Sequence, residues 1–232
     1  MPAAARILGT LIALALLAGC GRPLTRTEVA FAETLQGGDM DLQRVRLVRG
    51  APVGSVTFHR KPRPAVTCRE RIMPPETDAV ITTRPAAVTL FNRIFFSQGW
   101  YLDDYAPDYP DRLYLAEAML LAHELTHVWQ WQNRARTGYS PLLAASEHRR
   151  ADDPYLFDLQ GPADFRSYGY EQQGAIVEEY VCCRALAPQA ARTKRLHEML
   201  AREFPVSPLP RQGRESAVYV PWKDAEIAGI CD

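Results

Sequence analysis

After residue 20 the chain has no run of about 18 uncharged apolar residues, the length a membrane-crossing helix needs. That excludes a transmembrane helix from the body of the protein. The chain also lacks an excess of either charge, with 27 Lys and Arg against 27 Asp and Glu. Without a basic surplus to neutralise phosphates, the composition argues against an electrostatic nucleic-acid binder. No internal repeat and no low-complexity linker divides the 232 residues, so the reading is one domain with enough chain to bury a core. No two cysteines have C-x-x-C spacing, which makes them poor zinc ligands. At 47% hydrophobic, the chain is too apolar for a disordered one.

What is present begins with an address. Arg6 is the only charge before Arg22, and Ile7 to Ala18 is an apolar run too short to span a bilayer comfortably. The run ends in Leu17-Ala18-Gly19-Cys20, which resembles the lipobox of bacterial lipoproteins. The resemblance implies a signal peptide over 1–19, lipidation of Cys20 and a body over 20–232 tethered to a membrane. With Gly21 after the cysteine, it implies an outer-membrane lipoprotein of the cell envelope, facing the periplasm. Four cysteines remain in that oxidising compartment: Cys68, Cys182, Cys183 and Cys231. A bond between the adjacent pair would close a strained ring, so Cys182 and Cys183 are each expected to reach Cys68 or Cys231.

Along the chain, Thr25 to Gln36 reads as a short helix capped by Thr25 or Thr27. Residues 42–100 read as strands and turns. Leu42 to Val48 alternates as a half-buried strand does, and Val53–His59, Ala79–Thr83 and Val88–Phe96 are further apolar runs. A loop over 103–111 leads into a helix from Asp111 to about Arg136, stopped by Gly138. Residues 139–168 are a connection long enough that part is expected to be helical or functional. Glu171–Leu186 and Gln189–Phe204 read as two more helices, followed by an irregular Pro-rich tail.

The chemistry sits at His123-Glu124-Leu125-Thr126-His127, an H-E-x-x-H pattern inside an apolar helix. Four residues at about 100° each bring the second imidazole to within about 40° of the first, one turn on. Both can therefore reach one Zn2+ at about 2.0–2.1 Å. Glu124 stands beside the first ligand, where it can serve as general base towards a zinc-activated water. Two histidines and an unpaired carboxylate would otherwise be costly in such a helix.

A catalytic zinc takes a third protein ligand and leaves a fourth position open. The H-x-x-G-x-x-H extension is absent, so that ligand must come from elsewhere. Glu171, Gly174, Ala175 and Glu178 share one helical face, and the small pair would allow close approach to the H-E-x-x-H helix. Glu171 is the first choice as ligand. Glu178 would orient a ligand histidine or take the place of Glu171. His148 is a rival ligand, and His59 and His197 read as surface or structural. Tyr168 or Tyr170 could donate to an oxyanion. Trp129 and Trp131 lie about 200° apart on the helix, so one is expected beneath the site and the other outward or under the 139–168 connection.

His123 to Gln132 (HELTHVWQWQ) followed by Tyr170 to Tyr180 (YEQQGAIVEEY) resembles the zincin-like domains of bacterial Vgr-related proteins. The resemblance implies an α+β zincin-like fold, with an active-site helix, a second ligand-bearing helix and a small N-terminal β-region. It implies a gluzincin-type centre, with His123, His127 and Glu171 on zinc and Glu124 as base. Gly174 departs from the Ala that the pattern tends to have there. The expected function is a zinc metallopeptidase of the envelope acting on protein or peptide substrates. The alternative is a non-catalytic zincin-fold lipoprotein that binds metal or a protein partner.

Overall fold

A computed structural model of the chain describes residues 21–59, 62–78, 80–158, 160–161, 164–210 and 216–232. The expected leader and Cys20 lie outside the described residues. Among these residues the fold is mixed α+β, and no helix is long and apolar enough to cross a membrane.

The first helix, α1 (Arg26–Glu33), starts with a reciprocal cap. Thr25 Oγ1 accepts from the Glu28 N–H, and the Glu28 carboxylate accepts from the Thr25 N–H. Glu28 also receives both Arg22 Nη atoms at 2.7 Å and the Tyr105 N–H at 2.9 Å. These bonds fasten the start of the described chain to the loop near residue 105.

Strand β1 (Arg46–Arg49) is followed by β2 (Val56–His59), the short helix α2 (Cys68–Ile72) and β3 (Val80–Thr83). Next come β4 (Ala87–Leu90) and β5 (Arg93–Phe96). The main sheet has the order β1-β5-β4, with β1 parallel and β4 antiparallel to β5. Strands β2 and β3 form a separate antiparallel pair. The chain then forms β6 (Arg112–Tyr114), the long helix α3 (Leu115–Gln132), α4 (Arg134–Thr137) and α5 (Pro141–Arg150). It finishes with α6 (Tyr170–Leu186), α7 (Ala191–Leu200) and β7 (Ala217–Tyr219), the last paired in parallel with β6.

Helix α3 is the centre of the core. Leu115, Ala118, Leu121, Ala122, Leu125, Val128 and Trp129 are buried nearly all round it. A helix apolar on every side needs partners on more than one side, and α3 has α6 against it as well as β4 and β5. Trp129 packs between Phe165 and Phe204 and donates to Asp39 at 2.8 Å. Trp131 points the other way, against Phe91 and under the Arg134 guanidinium. The two indoles thus point apart as expected, with Trp129 among Phe165 and Phe204 in the core rather than against the site residues.

Several boundaries differ from the sequence reading, each for a physical reason. Residues 42–44 are a 3-10 turn held by the Asp41 carboxylate on the Gln43 N–H, and only Arg46–Arg49 is strand. The apolar run 88–96 is a hairpin, turned at Phe91 (φ 62°) so that Leu90 pairs with Arg93. The long helix starts at Leu115, because residues 112–114 are recruited as strand by β7. It stops at Asn133, and Gly138 in the left-handed region closes the α4 turn. Within 139–168, Ser140 caps and Pro141 opens α5, a start signal readable in the sequence. The cysteines pair as Cys68–Cys182 and Cys183–Cys231, each of the adjacent pair reaching outward as expected.

Candidate metal centre

Helices α3 and α6 meet along the face that carries the chemistry. Gly174 makes this possible, since a Cβ there would lie 2.6 Å from His123 Cε1. At that closest approach, His123 and His127 of α3 face Glu171 in the first turn of α6. The two Nε2 atoms are 3.2 Å apart. Glu171 Oε2 lies 3.3 Å from Nε2 of His123 and 3.4 Å from that of His127. A tetrahedral ion at about 2.0–2.1 Å from each ligand has ligand–ligand edges of about 3.3 Å, so the triangle fits one.

Each donor is held from behind. The Nδ1–H of His127 donates to Gln130 Oε1 at 2.8 Å. Gln130 Nε2 in turn donates to Gln173 Oε1 and the Tyr170 carbonyl. His123 Nδ1 faces Glu178 Oε1 at 3.2 Å, an ion-pair distance too bent for a good hydrogen bond. Glu178 Oε2 pairs with Arg69 Nη1 at 2.8 Å. Glu171 Oε1 meets His148 Nε2 at 3.2 Å. Glu147 accepts the Tyr170 and Glu171 N–H groups, fixing the α6 N-terminus that carries Glu171.

The proton logic follows from these partners. In their neutral form, with Nδ1 of His127 donating to Gln130 and Nδ1 of His123 turned to Glu178, both imidazoles present Nε2 lone pairs towards Glu171 Oε2. Three lone-pair atoms within 3.4 Å repel one another unless positive charge sits among them. The electrostatics agree. Burial lowers the proton affinity of His123, yet Glu171 and Glu178 outweigh it and lift its pKa to about 10. Burial opposes His127 too, and Glu171 again raises it. Glu171 is held well below the carboxylate range, because the imidazoles overcome its burial. The cluster therefore has the donor chemistry of a cation site. A second convergence, Cys68, Cys183 and Cys231, has all three sulfurs engaged in disulfides.

Glu124 is buried beside this triangle, and its Oε2 accepts the Thr89 hydroxyl at 2.7 Å. Thr89 lies on β4, an edge strand of the main sheet. Two tyrosines flank the imidazoles. The Tyr155 ring lies 5.8 Å from that of His123, and the Tyr139 ring 6.0 Å from that of His127. Burial first, then the charges of Glu171 and Glu124, raise both phenols, which stay protonated.

Comparison with known proteins gives one structural likeness to set beside this geometry. No family model matches the chain, and no curated protein does. Among solved structures, the effector domain of Pseudomonas aeruginosa VgrG2b is similar, at 22% identity and a TM-score of 0.47. The match covers 85% of this chain and 93% of that one. That neighbour is a Vgr-related domain.

Of the expected site residues, the structure brings His123, His127 and Glu171 into one donor triangle. Glu178 stands behind His123 and His148 behind Glu171, both outside the triangle. Tyr170 and Tyr168 are turned elsewhere. The Tyr170 hydroxyl donates to the Thr137 carbonyl at 3.3 Å, and the Tyr168 ring packs edge-on to Phe157. Tyr170 precedes Glu171 by one residue, about 100° round the helix, so it cannot share the direction of the Glu171 carboxylate. The phenols at the imidazoles are instead Tyr139 and Tyr155. His197 meets the Tyr180 hydroxyl. Gln130 was legible, three residues after His127 and on its face. Thr89, Arg69 and Tyr155 carried no local signal.

Proposed function

We propose that this chain is a zinc-dependent peptidase with a zincin-like active site. The supporting observation is the donor triangle of His123, His127 and Glu171, edges 3.2–3.4 Å, with the Glu124 carboxylate beside it. Those three residues would hold the ion. A bound zinc polarises a carbonyl and makes water acidic near neutral pH.

The remaining work falls to side chains of the protein. Glu124 takes the proton of the attacking water and passes it to the leaving nitrogen. Thr89 binds one carboxylate oxygen and so restrains the rotation of the base. Tyr155, kept neutral with its ring 5.8 Å from that of His123, is the hydroxyl we assign to the oxyanion. The substrate class is a protein or peptide. By the reading of its first twenty residues, the protein acts in the cell envelope, held to the outer membrane by lipid on Cys20.

Glu124→Gln tests this reading. The variant should hold zinc as wild type does and lose hydrolysis of an unfolded protein such as casein by at least about a hundredfold. Wild-type turnover by that variant would overturn the assignment.

One observation favours a second reading, a metal-holding protein without turnover. The exposure of His123, Glu124 and His127 is 5% and that of Glu171 is 8%, with Tyr139 and Tyr155 at the imidazoles. Zinc binding by wild type, with no cleavage across a diverse peptide library, would support it.

A further inference from the structure

Glu178 divides its two oxygens between two partners. Oε1 faces Nδ1 of the ligand His123 at 3.2 Å, and Oε2 accepts from Arg69 at 2.8 Å. Both His123 and Glu178 are buried, so the orientation of the carboxylate is decided by these contacts and not by water. Arg69 supplies the charge-assisted bond that fixes it. Without that guanidinium, a buried carboxylate keeps only the bent contact to His123.

Arg69 comes from α2, a five-residue helix far from α3 in sequence. Its neighbour Cys68 is bonded to Cys182, one turn beyond Glu178 on α6. The Cys68 N–H also donates to Glu179 at 2.7 Å, and Arg63, five residues before Cys68, grips Asp153 through two hydrogen bonds. Cys68, adjacent to Arg69, makes two of these ties, and the covalent one is the stronger. It brings the arginine onto the same α6 face whose carboxylate it holds.

We propose that Arg69 is a positioning residue of the metal centre, acting on His123 through Glu178, and that the Cys68–Cys182 bond sets it in place. This deepens the proposed function and rests on its metal centre alone, not on turnover. The centre then reaches full affinity only in the oxidised chain. Closing the bond joins two sulfurs and releases two protons and two electrons. A disulfide-carrying oxidant accepts both and leaves as a dithiol. In a reducing compartment the same chain would hold its metal more weakly, so the metal centre is completed where disulfides form.

The test measures Zn2+ affinity of the purified protein by competition with a chromogenic chelator, with circular dichroism to confirm folding. Arg69→Met should weaken binding roughly ten- to a hundredfold, and Arg69→Lys should recover part of that loss. The visible bands of the Co2+-loaded protein should shift in Arg69→Met and return towards wild type in Arg69→Lys. Cys68→Ser with Cys182→Ser should weaken binding similarly. Cys183→Ser with Cys231→Ser is the control and should leave affinity within a fewfold. Wild-type affinity in folded Arg69→Met overturns the proposal while leaving the metal centre standing. An equal loss from both disulfide pairs overturns the role of Cys68–Cys182. Absence of zinc binding by wild type overturns the metal centre and the proposal together.

Discussion

Gly174 and the His123 ring occupy adjoining space with no room for a methyl group between them. A Cβ at 174 would stand 2.6–2.8 Å from three ring atoms. The ring is rigid and held on both sides, so the cost cannot be absorbed by a flexible side chain. Gly174→Ala is expected to destabilise the protein by about 1–3 kcal/mol and to weaken zinc binding. Urea denaturation and chelator competition measure the two effects. An Ala variant as stable and as tight as wild type would show that α3 and α6 can separate freely.

The second histidine depends on an amide relay. Gln130 fixes the His127 tautomer, and Gln173 fixes Gln130. Gln130→Leu keeps the approximate volume but offers no acceptor for Nδ1–H. Zinc affinity should fall roughly ten- to a hundredfold, read by isothermal titration. Unchanged affinity would mean that the His127 tautomer is set by other groups.

Thr89 separates metal binding from chemistry. Its hydroxyl touches the proposed base and none of the three donors. Thr89→Val should therefore leave zinc content at wild-type level while lowering kcat by about tenfold, with KM little changed. A loss of zinc in this variant would place Thr89 in support of the ligands instead.

Acid should undo the Arg69–Glu178 contact in chelator-treated protein. Burial alone would raise Glu178, but Arg69 and then His123 hold its pKa at about 2, below the ordinary value of 4.5. A depressed carboxylate contributes stability above its unfolded-chain value and loses that contribution as pH falls through the folded value. Melting temperatures between pH 7 and pH 2.5 should drop more steeply below about pH 4.5 in wild type than in Glu178→Gln. Parallel curves would contradict the assignment of this shift.

What could be read from the sequence was what repeats locally. His123 and His127, and Glu171 with Glu178, each lie on one helical face, so periodicity alone grouped them. The cap at Thr25 and the outward turn of the adjacent cysteines rest on equally short-range rules. The parts that complete the site come from far along the chain. Arg69 reaches Glu178 across 109 positions and Thr89 reaches Glu124 across 35, and neither separation leaves a pattern. Strand β6 escaped for the same reason, since its partner β7 lies about a hundred residues on and its own three residues look helical. Tyr168 and Tyr170 were favoured by nearness to Glu171 in sequence, whereas Tyr139 and Tyr155 are the ones near the imidazoles in space.

Cys182 and Cys183 leave their helix about 100° apart and are bolted to different parts of the molecule. Each bolt resists turning of the rod about its own axis, and the one at Cys182, four residues beyond Glu178, is the nearer to the acids. The angular setting of Glu171 and Glu178 towards α3 is thereby locked from the far end of α6. One residue inserted between Glu178 and Cys182 would turn the carboxylate face by about 100° against those bolts. The register between the acids and the cysteines therefore matters to this centre as much as the identity of either.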